Sequence, residues 1–175
     1  METLGKIFGS QMRVRIMRLF LFHPEEAFDI DDVVKRSRAK KPEARKELAL
    51  LVRSDFLKKK TFMKDVPKPQ TPKAQKEKKP IEYKKVKKSG WIVNDQYKLL
   101  EPLEALLIES ELIKEKEIAL KLRKAGVLKM VVLSGIFIRD ENRKLDMLVV
   151  GNNLKRDQLE KEMANIEAEI GREIA

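Results

Sequence analysis

The sequence predicts an α+β fold in two parts. Three observations carry this. Apolar residues recur at helical spacing in successive segments before Asp55. The segment after it is lysine-rich, punctuated by proline and bracketed by two short runs with strand character. From about Glu115 the character changes: two β-branched runs flank a polar turn, and a long amphipathic pattern follows.

Composition bounds the partners. A chain of 175 residues with 42% hydrophobic residues can bury one or two small cores. The net charge of +11 and a pI near 9.7 point to a polyanion, either nucleic acid or an acidic membrane surface. There is no cysteine and only one histidine, His23, which excludes thiolate and histidine-cluster zinc sites. No cofactor is expected. No apolar run approaches ~20 residues, and the N-terminus lacks the apolar core of a signal peptide. A cytoplasmic chain with no membrane partner is the expectation.

Leu4 to Ser10 is a lead-in, and Ser10 can cap a helix over about Gln11 to Phe22. Val14, Met17 and Leu21 share one face, while Arg13, Arg15 and Arg18 take the polar side. His23-Pro24 ends it, because the residue before proline is pushed out of the α region. Asp29, with Asp32 three residues on, makes a capping box for a helix over about Ile30 to Ser37. A basic turn, Ser37-Arg38-Ala39-Lys40, leads to a further helix over about Pro42 to Ser54. Ala44, Leu48 and Leu51 are its inward stripe. Pro42, Arg45, Lys46, Ala49 and Arg53 gather on the opposite side, and Glu43 and Glu47 fall on a flank. Two short helices joined by a tight turn make a helix-turn-helix, whose second helix enters a DNA major groove.

A strand over Leu57 to Met63 and its return at about Gly90 to Val93 predict a hairpin, with Trp91 packed on the domain edge. Between them Lys64 to Lys88 holds ten lysines against three acids, a balance of +7. Its prolines and its lack of apolar residues predict disorder in the free protein. Lys68, Lys73, Lys76, Lys78, Lys79, Lys84 and Lys85 are the candidate phosphate contacts. With Lys40 and Lys41 at the turn and Arg45, Lys46, Ala49 and Arg53 on the helix, they form the candidate DNA-binding surface over residues 1–97.

A leucine-rich helix over about Glu101 to Ile108 lies in a helical linker, residues 98–114, where it can join domains or make a dimer contact. In residues 115–175 a helix ends at Gly126, and Val127 to Ile138 is a buried-type strand broken by Ser134-Gly135. Leu145 to Val150 is a second such strand. Asn153 caps a final helix with Leu159, Met163, Ile166 and Ile170 inward, and Gly171 stops it.

Two resemblances follow from these residues. Residues from about Gly5 to Val93 resemble the winged helix-turn-helix of small bacterial transcriptional regulators. The stretch IFGSQMRVRIMRLFLFHPEEAF is similar to a group of uncharacterised bacterial proteins with that domain. From about Glu115 the chain resembles a minimal polymerase-beta-type nucleotidyltransferase core, and LDMLVVG is close to that family's IDLLVVG. The family's motif pairs Gly-Ser after the first strand with Asp-x-Asp on the next, which holds two Mg²⁺ ions. Here Ser134-Gly135 stands reversed, Asp146 matches the second acid, and Lys144 replaces the first. One carboxylate beside a lysine cannot hold two divalent cations. The resemblance therefore implies the fold without catalysis, metal or nucleotide binding.

The combined expectation is a non-enzymatic transcriptional regulator that reads double-stranded DNA, with an inactive C-terminal domain for homodimer formation or regulation. The alternatives are an active nucleotidyltransferase, for which Asp140 and Glu141 are the only further acids nearby, and a basic RNA-associated protein. The few aromatics, none placed as a stacking pair, count against the last.

Overall fold

The computed structural model describes residues 2–68, 82–109, 115–138, 140 and 142–175. Their architecture is mixed α+β. Helices α1 (Glu2–Ile7), α2 (Gln11–Phe22), α3 (Ile30–Ser37) and α4 (Lys41–Arg53) precede an antiparallel hairpin of β1 (Leu57–Pro67) and β2 (Tyr83–Val93). Helix α5 (Leu100–Glu104) continues as a π-helical turn, Ala105–Glu109. Then come α6 (Glu115–Leu122), a second antiparallel pair of β3 (Val127–Leu133) and β4 (Met147–Asn152), and α7 (Arg156–Ile170). The lead-in expected as irregular chain is helical in α1.

Caps fix the N-terminal helices. Ser10 accepts from the Arg13 N–H at 3.2 Å and starts α2. The Asp29 side chain accepts from the N–H groups of Asp31 and Asp32, and Asp32 returns the bond, so the capping box forms as its spacing requires. At the end of α2 the His23 ring Nδ1 lies 2.8 Å from the Leu19 carbonyl. A carbonyl only accepts, so this nitrogen carries the proton. Arg38 takes a left-handed conformation (φ 58°) and turns the chain from α3 into α4. Ile16, Phe20, Val33, Ala44, Leu48 and Phe56 close the core these helices share.

The hairpin is longer than its sequence suggests. All of β1 pairs with all of β2, from Leu57 opposite Val93 to Pro67 opposite Tyr83. The expected disorder of residues 64–88 is thus corrected at both ends, while residues 69–81 lie outside the described chain. The physical reason is alternation. Phe62, Lys64, Val66, Val86 and Lys88 share the inner face and are half-buried, which gives a lysine-rich ribbon something to pack. Phe28 bridges Trp91 through two backbone hydrogen bonds of 2.9 Å, adding a one-residue third strand beside β2. Gly90 permits it, since a Cβ there would lie 2.2 Å from the Phe28 carbonyl oxygen.

The second core lies between the β3–β4 sheet and α7, with Ile118, Leu122, Met147, Ile166 and Ile170 at its centre. Three expectations are corrected here. The strand expected over Val127 to Ile138 ends at Leu133, because Gly135 turns to φ 49° and a short 3-10 turn, Gly135–Ile138, follows. The strands are not buried on both faces: Met130, Val132, Leu148 and Val150 are exposed. Asn153 does not cap α7. It is left-handed (φ 52°), and Lys155 holds the N-cap position without a side-chain bond.

Helix α7 joins the two cores. One side faces the β3–β4 sheet and the other packs on α2 and α3. The joint is built on Arg18, expected on a polar face but fully buried. Its Nε donates to the Leu107 carbonyl at 2.8 Å and its Nη1 to the Glu169 carbonyl at 3.0 Å. Burial lowers its pKa to about 10, against the raising effect of the Glu169 carboxylate. Glu169 also meets Arg15 at 3.2 Å and Lys121. Leu107, from the segment expected as a linker, is buried in the N-terminal core.

Candidate nucleic-acid interface

Helix α4 divides its faces sharply. Ala44, Leu48 and Leu51 are buried, as their spacing requires. Lys40, Lys41, Pro42, Arg45, Lys46, Ala49 and Arg53 are all exposed. Arg45, Lys46 and Arg53 make no ion pair among the described residues, whereas Lys41 reaches Asp31 at 2.8 Å. Glu47 is corrected from a solvent flank to the interior. It is 5% exposed and accepts from Arg13 Nε at 2.8 Å, while Arg13 also holds the Phe8 carbonyl. One of the helix's two acids is thereby neutralised and withdrawn. Glu43 alone stays exposed, in the first turn where the helix dipole favours it.

The hairpin presents its lysines unevenly. Lys84 and Lys85 are exposed but, as neighbours on a strand, point to opposite faces. Lys68 is exposed and paired with Glu82 at 2.8 Å. Lys64 is held by Asp29 at 2.9 Å and by Asp32 at 2.6 Å. It pins β1 to the start of α3. Burial works against the charge of Lys64, yet the two carboxylates raise its pKa above the ordinary lysine value. Burial likewise pushes the Asp29 carboxyl up, but the Asp32 N–H, the Lys64 ammonium and the Asp31 N–H outweigh it and hold the pKa below the usual value. Lys73, Lys76, Lys78 and Lys79 lie outside the described residues. Sequence reasoning passed over Lys59 and Lys60, exposed at the base of β1 just after α4. The signal was the run Lys58-Lys59-Lys60, which was taken only as strand.

The nucleotidyltransferase-like residues come together in part. Gly135 and Asp146 are in contact: a Cβ on Gly135 would lie 1.9 Å from Asp146 Oδ1. That oxygen accepts from the Ile136 N–H at 3.0 Å, and Oδ2 accepts from the Ala175 N–H at 2.9 Å. The backbone of Ser134 donates to the Asp146 carbonyl at 2.8 Å. Lys144 is exposed, two residues ahead of Asp146. Asp146 is thus 8% exposed with both carboxylate oxygens engaged by backbone, tying the turn after β3 to the start of β4 and to the chain's last residue. Asp140 pairs instead with Arg143 at 2.8 Å, and Glu141 lies outside the described residues. Among the described residues no group of three or more His, Asp or Glu side chains is placed to hold a metal ion. No described helix is long and apolar enough to cross a membrane.

No protein-family model, curated protein or solved structure matches the chain significantly. The functional reading therefore rests on the chain's own geometry.

Proposed function

We propose that the chain binds duplex DNA as a transcriptional regulator of the winged helix-turn-helix kind. Helix α4 is the recognition helix and the β1–β2 hairpin is the wing. The order of α2, the Phe28 bridge, α3, α4 and the hairpin supports this arrangement. The observation that carries the reading is the outward face of α4. Arg45, Lys46 and Arg53 surround the small Ala49 there and make no ion pair among the described residues, while Glu47 is drawn inward by Arg13. Forked and point cations around a small residue suit close approach to base edges and phosphates. Exposed lysines of the hairpin, Lys59, Lys84 and Lys85 among them, supply backbone contacts. In the C-terminal region the bonding of Asp146 favours a structural role over a catalytic one.

Replacing Arg45 and Lys46 together by Ala is the test. Each lost base contact should cost about 1–3 kcal/mol of sequence-specific affinity in a gel-shift titration. An unchanged affinity for the preferred duplex would sink the assignment of α4. Transfer of labelled nucleotide to an acceptor with Mg²⁺ would favour the enzymatic alternative instead.

A further inference from the structure

The β3–β4 sheet covers α7 with one face and leaves the other bare. Met130, Val132, Leu148 and Val150 are 39–49% exposed on that outer face. Ile138 is exposed as well and lines the same hollow as Met130 and Val132. Contiguous aliphatic residues on a sheet mark an interaction surface far better than scattered ones do. What covers them can be argued from register and charge.

Met130 stands opposite Val150, and Val132 opposite Leu148. Directly opposed residues point to the same side, as do residues two apart on one strand. The patch is therefore a square with large side chains on one diagonal and valines on the other. Lay an identical sheet face to face on it, about a two-fold axis in the plane of contact. Met130 and Leu148 then each fall over a valine of the other copy, whichever in-plane direction the axis takes. A patch with that property is complementary to itself, as a two-fold interface requires.

Charge distribution agrees. Residues 115–175 hold twelve Lys or Arg against eleven Asp or Glu, a net +1. Residues 1–114 hold twenty-seven against seventeen, a net +10. Two copies can meet through the nearly neutral region with little repulsion, whereas meeting through the other would oppose two strongly basic surfaces. The square itself carries no cation, so it does not suit a polyanion.

We propose that a second copy of the chain docks on the outer face of the β3–β4 sheet, burying Met130, Val132, Leu148, Val150 and Ile138 in a two-fold sheet-on-sheet contact. This is independent of what α4 reads, although paired recognition helices suit a regulator that binds symmetric sites.

Sedimentation equilibrium of the full chain tests it. The wild type should sediment at twice its 20.4 kDa. Val132→Glu and Leu148→Glu should each weaken association at least 100-fold while keeping the cooperative thermal transition, because both positions face solvent in the single chain. Val132→Thr, nearly isosteric, should weaken it about tenfold, so the proposal stays testable if either charged variant misfolds. Leu120→Glu, exposed but outside the square, should leave the dimer intact. A wild type that stays monomeric up to ~100 µM would overturn the proposal, as would charged variants that still dimerise. Monomeric wild type that floats with lipid vesicles would overturn it in favour of a membrane surface. Dimerisation without duplex binding would overturn the reading of α4 and leave this contact standing.

Discussion

At the residue scale, the salient finding is how often a charge has a structural partner. Lys64 was counted among a run of free cations, yet two carboxylates of α3 hold it. Asp29→Ala removes both an N-cap and that clamp, and should cost about 1–2 kcal/mol in denaturant unfolding. The clamp also sets a pH window. The folded Asp29 pKa lies below the ordinary 3.8, so its stabilising contribution is present above that pH and is lost as pH falls through the folded value. The folded Lys64 pKa lies above 10.5, so its contribution is present below that pH and is lost as pH rises through the folded value. An Asp29→Asn variant should therefore differ most from wild type at neutral pH and converge on it in acid. Equal differences at pH 2 and pH 7 would contradict the clamp. Arg18→Met should destabilise by about 2–3 kcal/mol, since it strips a buried donor from the Leu107 and Glu169 carbonyls. A variant as stable as wild type would show that Arg18 does not hold the joint.

At the scale of elements, what could be read from the sequence follows how local the cause is. Helices α2, α3 and α4 were legible because their caps and apolar stripes lie within one or two turns. Ser10, Asp29, Asp32 and the Ala44–Leu48–Leu51 spacing are local signals. The hairpin was underestimated because its strands look polar. What orders them is the inner face against α3 and the bridge at Phe28, a long-range pairing that a single short residue cannot announce. Glu47 and Arg18 were misplaced for the same reason: their partners, Arg13 and Glu169, lie far away in sequence. Lys68 donates its N–H to the Glu82 carbonyl at 2.8 Å, so the ladder reaches beyond the named strands. Replacing residues 69–81 by Asn-Gly should thus close the hairpin with a two-residue turn and keep the cooperative melt. It also removes four lysines, and should flatten the plot of log affinity against log salt by up to ~3 if they meet phosphates. Loss of the melt would make that segment structural. An unchanged slope would remove it from the interface.

At the scale of the whole molecule, α7 sets the arrangement. It turns one side to the β3–β4 sheet and the other to α2 and α3, so the C-terminal region rests on the helices behind α4. The outward face of α4 is left to solvent. The motif around Ser134, Gly135 and Asp146 could be recognised in the sequence, and its departure at Lys144 was visible there. That Asp146 is spent on the Ile136 and Ala175 N–H groups was not, because the chain's last residue folds back to reach it.

The central claim is that α4 reads duplex DNA, and one titration tests it most directly. The purified chain is added to fluorescent duplex fragments at rising salt, with single-stranded RNA as competitor. Five or six phosphate contacts predict a log–log slope of about −5, and sequence reading predicts that a subset of fragments stays bound near ~150 mM salt. Binding that is equal for every fragment, or that RNA displaces readily, would contradict the account.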